Sequence, residues 1–466
     1  MSIDEALPRG RMLVPGDEGF EQAARPWNLA VEQRVRAVVQ AEDAEDVAAV
    51  VSHARRNGLR VAVQAGGHGA ADGLDGEILL RTSRMRGVDV RPDTRVARVE
   101  AGASWGEVLA AAGKYGLTGL AGSSPVVSAT GFTLGGGLSW FGRAYGPAGS
   151  AVRALEVVDA EGVRRRVTAE SDPELFWALR GGGGDFAAVT AMEIDLFPAP
   201  SLYGGRMLWP IARAEEVMAA FRRITASAPE ELTVWFALMQ FPPFPQLPEP
   251  LRGLAAVAVD VTFLGQEGVA RDLLAPLESL GGTVLDTRGP LPVAELGRVC
   301  AEPTEPGAGM LRAELLTDLD GDAARTLLDA AGRDAVAPLA MVQIRHLGGA
   351  LAGRDGADTG APAGDVTSGG GGGALLGAGG VVEEPYLVSM LAPLPAPELA
   401  PAIRERHARI SGAMAPYVSG RKPFTYLGYG ERAAAAFPGD VLERLREVKR
   451  RRDPHGVFRS NFPVLD

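Results

Sequence analysis

One histidine stands among glycines in a loop whose backbone is otherwise almost bare. The stretch reads QAGGHGAADG over residues 64–73, and His68 is one of only five histidines in the chain. An imidazole can serve as a nucleophile, a general base or a metal ligand. No second histidine, cysteine or carboxylate stands at ligand spacing from it, which argues against a metal site. The loop by itself leaves two interpretations open: a turn histidine that hydrogen-bonds its own loop, or a reactive imidazole.

Bare backbone can also cradle phosphate, and three loops of the chain are rich enough in glycine to do so. The second and third contain glycines at residues 135–137 and 181–184. Neither fits the dinucleotide pattern of a G-x-G-x-x-G turn between a strand and a helix, because one lies in a Ser/Thr-rich loop and the other follows a predicted helix. The G-x-x-x-x-G-K-[ST] motif is missing from the sequence. The three loops are still compatible with a nucleotide that contacts several separated loops, as an extended dinucleotide would.

The composition restricts the class of protein. A chain of 466 residues with 46% hydrophobic and 23% charged residues is typical of a globular protein with two or three domains. A net charge of −11 argues against nucleic acid and anionic membranes as partners. Cys300 is the only cysteine, which excludes an internal disulfide and a cysteine-rich metal site. No signal peptide or membrane-spanning run is recognised, so we expect a cytoplasmic protein.

The elements around the histidine loop follow from apolar spacing and helix caps. Residues 34–40 and 59–63 are predicted strands, and the second delivers the chain into the loop. Between them, Asp43 is the predicted N-cap of a helix that ends at Asn57. A similar unit follows, in which Ser104 and Glu107 form a capping box.

Later segments predict a second domain, a surface loop and a helix near the end of the chain. The predicted strand at residues 155–160 is followed by a helix that begins at Asp172. From about Ser201, proline-rich connectors and alternating segments such as residues 255–263 indicate an antiparallel sheet. Residues 353–380 are predicted to be a flexible surface loop, and residues 440–466 begin with an arginine-rich amphipathic helix.

Five segments occur in an order that resembles one protein family. They are QAGGHGAADG, VEAGASWGEVL, GFTLGGGLSWFGRAYG, DPELFWALRGGGGDFAAVT and RLREVKRRRDPHGVFRSN. Together they resemble the berberine bridge enzyme-like branch of the vanillyl-alcohol oxidase family, from about residue 27 to the C-terminus. The resemblance implies an α+β fold with a PCMH-type FAD-binding domain of two subdomains, formed by residues 1–200 and completed by residues 411–466. A substrate-binding domain, an antiparallel sheet covered by helices, is then expected at residues 201–410.

The resemblance assigns a role to the histidine. In the family, the histidine of this loop is bonded through its ring to the 8α-methyl group of FAD, and His68 occupies that position. Such a substituent raises the reduction potential of the flavin and prevents its loss. The residues implied to bind the cofactor are Ala65, Gly66, Gly67, His68, Gly69, Ser123, Ser124, Val127, Thr130, Gly135, Gly136, Gly137, Gly184, Phe186, Val189 and Asn461.

The chain departs from the family pattern near the flavin. Many members form a second covalent link from a cysteine where this chain has Ser124, so FAD is expected to be linked through His68 only. Val127 stands where the family places an oxygen-gating residue, and valine there favours oxidase behaviour. Gln64 lies near a position that is usually arginine, and Ser150 stands where aspartate is usual.

The catalytic base is less well defined by the resemblance. The family's Tyr-x-Asn motif corresponds here to residues 424–426, and Phe424 has no titratable proton. We expect Tyr426 to replace the family's tyrosine as the catalytic residue, with Tyr429 and Glu431 as alternatives.

Two classes of function follow from these expectations. The first is an FAD-dependent oxidase that transfers hydride from an alcohol, sugar, amine or secondary-metabolite intermediate to the flavin, which dioxygen then reoxidises. The second is a flavin-dependent cyclase or a flavin scaffold without net redox turnover. Small-molecule substrate and O2 are the expected partners, with no metal, nucleic acid or membrane, and the protein is expected to be a monomer or a homodimer.

Overall fold

The computed structural model describes residues 9–245, 248–332, 336–353 and 376–465. Most of the predicted glycine-rich surface loop, residues 354–375, therefore lies outside the described residues. The strands in chain order are β1 (Arg11–Leu13), β2 (Ala37–Gln40), β3 (Val61–Gln64), β4 (Ile78–Arg81), β5 (Val88–Arg91), β6 (Val96–Glu100), β7 (Leu117–Thr118), β8 (Val152–Val158), β9 (Arg164–Val167), β10 (Ala188–Asp195), β11 (Phe197–Pro198), β12 (Tyr203–Pro210), β13 (Leu232–Gln240), β14 (Ala255–Phe263), β15 (Leu285–Asp286), β16 (Gly289–Pro290), β17 (Gly309–Leu316), β18 (Met341–His346) and β19 (Tyr386–Pro393).

The α-helices connect and cover these strands. In chain order they are α1 (Phe20–Ala24), α2 (Ala44–Arg56), α3 (Trp105–Ala112), α4 (Ala129–Leu134), α5 (Gly142–Tyr145), α6 (Pro173–Leu179), α7 (Ala214–Thr225), α8 (Glu267–Leu273), α9 (Ala275–Glu278), α10 (Gly321–Ala331), α11 (Ala400–Met414) and α12 (Gly439–Arg452). Short 3-10 helices lie at Gly113–Tyr115, Ala148–Ala151, Ile211–Arg213, Glu249–Leu251, Val293–Arg298, Gly349–Ala352, Pro397–Leu399, Ala415–Tyr417, Phe424–Tyr426 and Ala433–Ala435. Each helix in the described ranges is too short or too polar to cross a lipid bilayer.

The predicted helix starts are confirmed, because side-chain caps fix them. Asp43 accepts hydrogen bonds from the backbone N–H groups of Glu45 and Asp46 at the start of α2. The capping box of Ser104 and Glu107 is complete, and Asp172 caps α6. The structure differs from prediction at residues 129–134, a short helix where a Ser/Thr-rich loop was expected.

Two sheets form the N-terminal half. The first has the strand order β1-β2-β4-β3, in which β2, β4 and β3 run parallel, and β3 leads directly into the loop of His68. The second has the antiparallel order β5-β6-β10-β8-β9. Valines of α2 pack with residues of β3, β4, β8 and β10 in one buried cluster, which joins the two sheets.

A large antiparallel sheet forms the middle of the chain. Its strand order is β15-β12-β14-β13-β18-β19-β17, with β16 also paired to β12. One face is apolar and packs against α7, α10 and α11. The other face turns toward the N-terminal half, where Trp235 stacks on Trp140 with ring centroids 3.4 Å apart. The mixture of these sheets with covering helices confirms the predicted α+β fold class.

The end of the chain returns to the N-terminal half. The N–H of Val61 in β3 donates to the carbonyl of Val457 at 2.7 Å, and the N–H of Arg459 donates to the carbonyl of Val61 at 2.9 Å. Residues 457–459 thus extend the edge of the first sheet beside the histidine loop. The exact division into domains at residues 200 and 411 stays a prediction.

Candidate functional site

The loop after β3 has a backbone that only glycine can adopt at one position. Gly67 has φ +78°, and a Cβ atom there would lie 3.0 Å from the Cα of Pro26. Gly66 and Gly69 are exposed, and a Cβ atom on either would have its nearest neighbour at 3.8 Å. The loop is therefore rigid at Gly67, with open backbone on both sides of it.

His68 is held in this loop against an aromatic ring. Its imidazole stacks on the indole of Trp27 with centroids 4.1 Å apart and an interplanar angle of 14°. Burial lowers the pKa of His68 to about 4, because the charged form loses hydration. The imidazole is thus neutral at physiological pH, and a neutral imidazole carries the nitrogen lone pair that a nucleophile needs.

A buried arginine connects the loop to two distant segments. The guanidinium of Arg81 donates to the side chain of Gln64 at 3.2 Å and to the carbonyls of Ala23, Ala24 and Arg25 at 2.8–3.0 Å. Burial lowers its pKa to about 10. Gln64 in turn donates to the side-chain oxygen of Asn461 at 3.1 Å. Asn461, predicted from the sequence, therefore lies beside the histidine loop.

A buried ion cluster fixes the segment that carries Asn461. The ammonium of Lys449 lies 2.9 Å from a carboxylate oxygen of Asp453 and 3.4 Å from one of Asp185. Asp185 also accepts hydrogen bonds from the N–H groups of Ser460 and Val464. Because Asp185 follows Gly184, this cluster joins the fourfold glycine run to the C-terminal tail.

The predicted residues at 123–130 lie beside the start of α3. The carbonyl of Val127 accepts a hydrogen bond from the N–H of Trp105 at 2.9 Å, which fixes this segment at the start of α3. Ser123 is buried and Ser124 half-buried. Thr130, the second residue of α4, is buried, and its hydroxyl has no hydrogen-bond partner among the described residues.

The other glycine runs meet each other. The carbonyl of Leu134 accepts hydrogen bonds from the N–H groups of Gly181 and Gly183 at 3.0 and 2.9 Å. A Cβ atom on Gly135 would lie 2.6 Å from the Cγ2 of Thr425, and one on Gly183 would lie 2.9 Å from the Phe424 ring. Much of the glycine content here is required by close packing of loops. Residues 135–137, Gly181 and residues 424–425 line one cavity together.

Further predicted residues lie within or beside this assembly. Phe186 and Val189 are buried in the main apolar cluster, which places their side chains in the core. Ala65 is half-buried, and Gly136 and Gly137 both have positive φ, of +92° and +69°. The structure therefore brings Asn461 to the histidine loop and links Gly184 to it through Asp185.

The inner face of the large sheet presents polar side chains that the sequence analysis missed. Arg206, Asp260, Trp235 and Arg345 stand directly opposite one another on four adjacent strands. Arg206 and Asp260 form a buried pair with N–O distances of 2.5 and 2.9 Å. The guanidinium of Arg345 lies 3.8 Å from the centre of the Trp235 ring. No sequence motif marks these residues, because strand register brings them together.

Tyr426 lies next to this row. The guanidinium of Arg345 is 5.4 Å from the centre of its ring, and the ring packs on an apolar cluster that includes Leu138 and Leu315. Burial raises the pKa of the Tyr426 phenol, and the charge of Arg345 opposes this shift. Among the described residues, no group of three or more acidic, histidine or cysteine side chains is arranged to hold a metal ion.

Several features fit FAD. Several buried hydroxyls, among them those of Thr130 and Ser460, have no hydrogen-bond partner in the described part of the chain. Leaving such a group unpaired costs about 1–3 kcal/mol, a cost that a bound polar ligand removes. Gly66 and Gly69 offer open backbone beside a neutral imidazole. These donors and the nucleophile suit a phosphate-bearing cofactor that His68 can reach.

Comparisons with known proteins agree with this chemistry. Residues 35–168 match the family model of the FAD binding domain. The (R)-6-hydroxynicotine oxidase of Paenarthrobacter nicotinovorans is 31% identical over 294 residues, and the match spans 62% of each chain. The chain thus spans less than two thirds of the length of this curated relative.

Two solved structures share the fold over almost the whole chain. The 6-hydroxy-D-nicotine oxidase of Arthrobacter nicotinovorans has a TM-score of 0.79 at 24% identity, covering 97% of this chain and 96% of its own. The BBE-like 1 protein of Physcomitrella patens has a TM-score of 0.81 at 18% identity, covering 100% and 99%. The resemblance expected from the sequence motifs is confirmed: residues 35–168 match the FAD binding domain, and the chain is similar to FAD-linked oxidoreductases and shares its fold with members of the PCMH and vanillyl-alcohol oxidase family.

Proposed function

We propose that the protein is an FAD-dependent oxidase that takes hydride from a small organic substrate and is reoxidised by O2. The observation that carries the proposal is the neutral imidazole of His68, held in a glycine loop that the C-terminal Asn461 closes. FAD, when bound, supplies a two-electron acceptor for the hydride. The domain division predicted from the sequence is part of this proposal, with substrate meeting the cofactor beside the inner face of the large sheet.

His68 is proposed to hold FAD through one covalent bond. A ring nitrogen of His68 forms a bond to the 8α carbon, while one proton leaves the imidazole and one leaves that carbon. O2 would be the two-electron oxidant that balances this step, taking up the two protons and two electrons as hydrogen peroxide. Ser124 has no thiol to form a second bond, and Cys300 lies beside Asp260 in the large sheet.

The remaining predicted residues are proposed to surround the cofactor noncovalently. Backbone N–H groups at residues 65–69 and the hydroxyls at Ser123, Ser124 and Thr130 provide hydrogen bonds. Residues 135–137, Gly184, Phe186 and Val189 shape the walls, and Val127 controls access of O2.

Tyr426 is the proposed base that removes a proton from the O–H or N–H group of the substrate. An isolated phenol has a pKa near 10, so it needs a cation to act as a base at neutral pH. Arg345 lies 5.4 Å from the ring centre, and its charge opposes the burial that raises the pKa of the phenol. Trp235 holds this guanidinium in place, because its buried ring lies between Arg345 and Trp140.

The test begins with the denatured protein. Acid precipitation of the wild type is expected to leave the flavin on the protein, with the flavin mass on the tryptic peptide that contains His68. His68→Ala is expected to hold FAD only reversibly. Flavin released from the wild type, or found on another peptide, would contradict the covalent assignment.

Turnover is tested separately. The holoprotein is screened with alcohols, sugars and amines for peroxide formation, and each hit is mixed anaerobically to record bleaching of the flavin. Bleaching followed by peroxide release on admitting air is the expected result. A substrate that is converted without bleaching would instead indicate a cyclase or another non-redox role.

A further inference from the structure

We propose that Trp27 is a positioning residue for the attachment of FAD to His68, an inference that rests on the proposed covalent link. The indole covers one face of the imidazole, with an interplanar angle of 14° and centroids 4.1 Å apart. The lone pair of an imidazole nitrogen lies in the plane of the ring. A neighbour stacked on the face therefore restricts rotation of the ring and leaves the nucleophilic edge open.

The segment that carries Trp27 is fixed to the histidine loop. The N–H of Trp27 donates to the carbonyl of Gly66 at 3.0 Å. The buried guanidinium of Arg81 binds the carbonyls of the three residues at 23–25, and the same guanidinium holds Gln64 at the end of β3. Arg81 is 4% exposed, so these bonds are shielded from water. The indole and the imidazole are thereby positioned by one common anchor.

The other side of the segment is fixed to the large sheet. The carbonyl of Trp27 accepts a hydrogen bond from the N–H of Gly307 at 3.2 Å. Asn28 pairs with the backbone of Gly309 at the start of β17 through two bonds of 3.1 Å. Because the backbone of Trp27 is bonded on both sides, the indole is carried on a fixed segment.

Preorganisation of a nucleophile acts on the rate of bond formation. An imidazole that is already in one orientation loses less rotational freedom when it reaches the 8α carbon. The aromatic pair contributes a free energy that corresponds to about a 3- to 10-fold change in rate. Removing the indole is therefore expected to slow attachment, and to leave the final site of attachment unchanged.

The experiment follows covalent attachment directly, without reference to catalysis. Full-length apoprotein from riboflavin-limited cells is incubated with FAD in air, and the covalent fraction is read over time by intact mass and by flavin fluorescence in denaturing gels. The variants are Trp27→Ala, Trp27→Leu and Trp27→Phe. Trp177→Ala is the matched control, since Trp177 is also half-buried and pairs with the guanidinium of Arg444 at 3.8 Å.

We expect Trp27→Ala and Trp27→Leu to attach FAD about 3- to 10-fold more slowly, and Trp27→Phe to stay within about twofold of the wild type. Rescue by phenylalanine but not by leucine separates a stacking role from simple filling of volume. Attachment at the wild-type rate in Trp27→Ala would overturn the inference. Where Trp27→Ala fails to fold, equal rates in Trp27→Leu and Trp27→Phe would overturn it. A wild type without covalent FAD is a different result, because it removes the proposed link itself.

Discussion

The loops around His68 and the inner face of the large sheet form two walls of one proposed site, and they are built by opposite means. The loops offer backbone: Gly67 has a positive φ, and the space where Gly66 and Gly69 would carry a Cβ atom is open. The sheet offers side chains, with Asp260 and Arg345 drawn from different strands. The first wall suits a cofactor recognised through phosphate, whereas the second holds its charges in buried contacts, with Asp260 paired to Arg206 and Arg345 against Trp235.

The two walls also differ in what a substitution disturbs. A side chain added in the loops displaces backbone, so its effect on stability is set by strain and by close contact. A side chain removed from the sheet leaves a charge or a ring without its partner. We therefore expect substitutions in the sheet to have larger effects than substitutions in the loops.

The largest effect is expected at Tyr426. If this phenol is the base, Tyr426→Phe removes the proton acceptor and leaves the ring in place, and the rate of flavin reduction falls by about 100- to 10,000-fold. Anaerobic stopped-flow mixing with a substrate found by the peroxide screen measures that rate. Tyr429→Phe is the matched control, because this phenol is exposed and lies 3.3 Å from His407. If the flavin of the Tyr426→Phe protein is reduced at the wild-type rate, another group is the base.

The next effect concerns the buried pair of Arg206 and Asp260. Asp260 is fully buried, and Asp260→Asn keeps the shape of the side chain while leaving the guanidinium unneutralised. Breaking a buried pair in this way lowers the free energy of unfolding by about 3–5 kcal/mol. Urea unfolding of the holoprotein measures the loss.

The double variant Arg206→Met with Asp260→Leu tests whether the instability comes from the unpaired cation or from loss of the pair. Replacing both members of a buried pair with apolar residues is often close to neutral. Glu295→Gln breaks an exposed pair with Arg298 and is expected to cost about 0–1 kcal/mol. A double variant as unstable as Asp260→Asn would show that the pair itself, and not the unpaired cation, sets the cost.

The loops and the sheet also differ in how much of them could be predicted from the sequence. Helix starts at Asp43 and Ser104 follow from caps a few residues long, which a single sequence displays fully. His68 was conspicuous because glycines surround it. The row that contains Trp235 and Arg345 depends on strand register between distant segments, and no local pattern encodes it. Their role beside Tyr426 was therefore not predictable.

The glycines in the sequence indicate where another group comes close to the backbone, but they do not identify that group. That residues 135–137 lie beside the cofactor stays a prediction, and a Cβ atom on Gly135 would in addition meet the side chain of Thr425 at 2.6 Å. A glycine in a sequence indicates that another group comes close to the backbone, and that group can be a ligand or another loop. The structure shows which loop residues come close.

The smallest effect is expected in the loops. Alanine substitutions at neighbouring glycines test whether backbone geometry alone makes their effects on stability differ. Gly67→Ala places a Cβ atom at a φ of +78° and 3.0 Å from the Cα of Pro26, whereas Gly66→Ala adds the same atom with its nearest neighbour at 3.8 Å. The left-handed conformation costs an L-residue about 1–2 kcal/mol, so Gly67→Ala is expected to lower the free energy of unfolding by at least that amount. Gly66→Ala, an exposed position without such strain, is expected to stay within about 0.5 kcal/mol of the wild type. Urea unfolding of both variants in the His68→Ala background removes any contribution from covalent FAD. Equal stabilities would mean that the loop relaxes around the added atom, and that its rigidity comes from Arg81 and Trp27 rather than from Gly67.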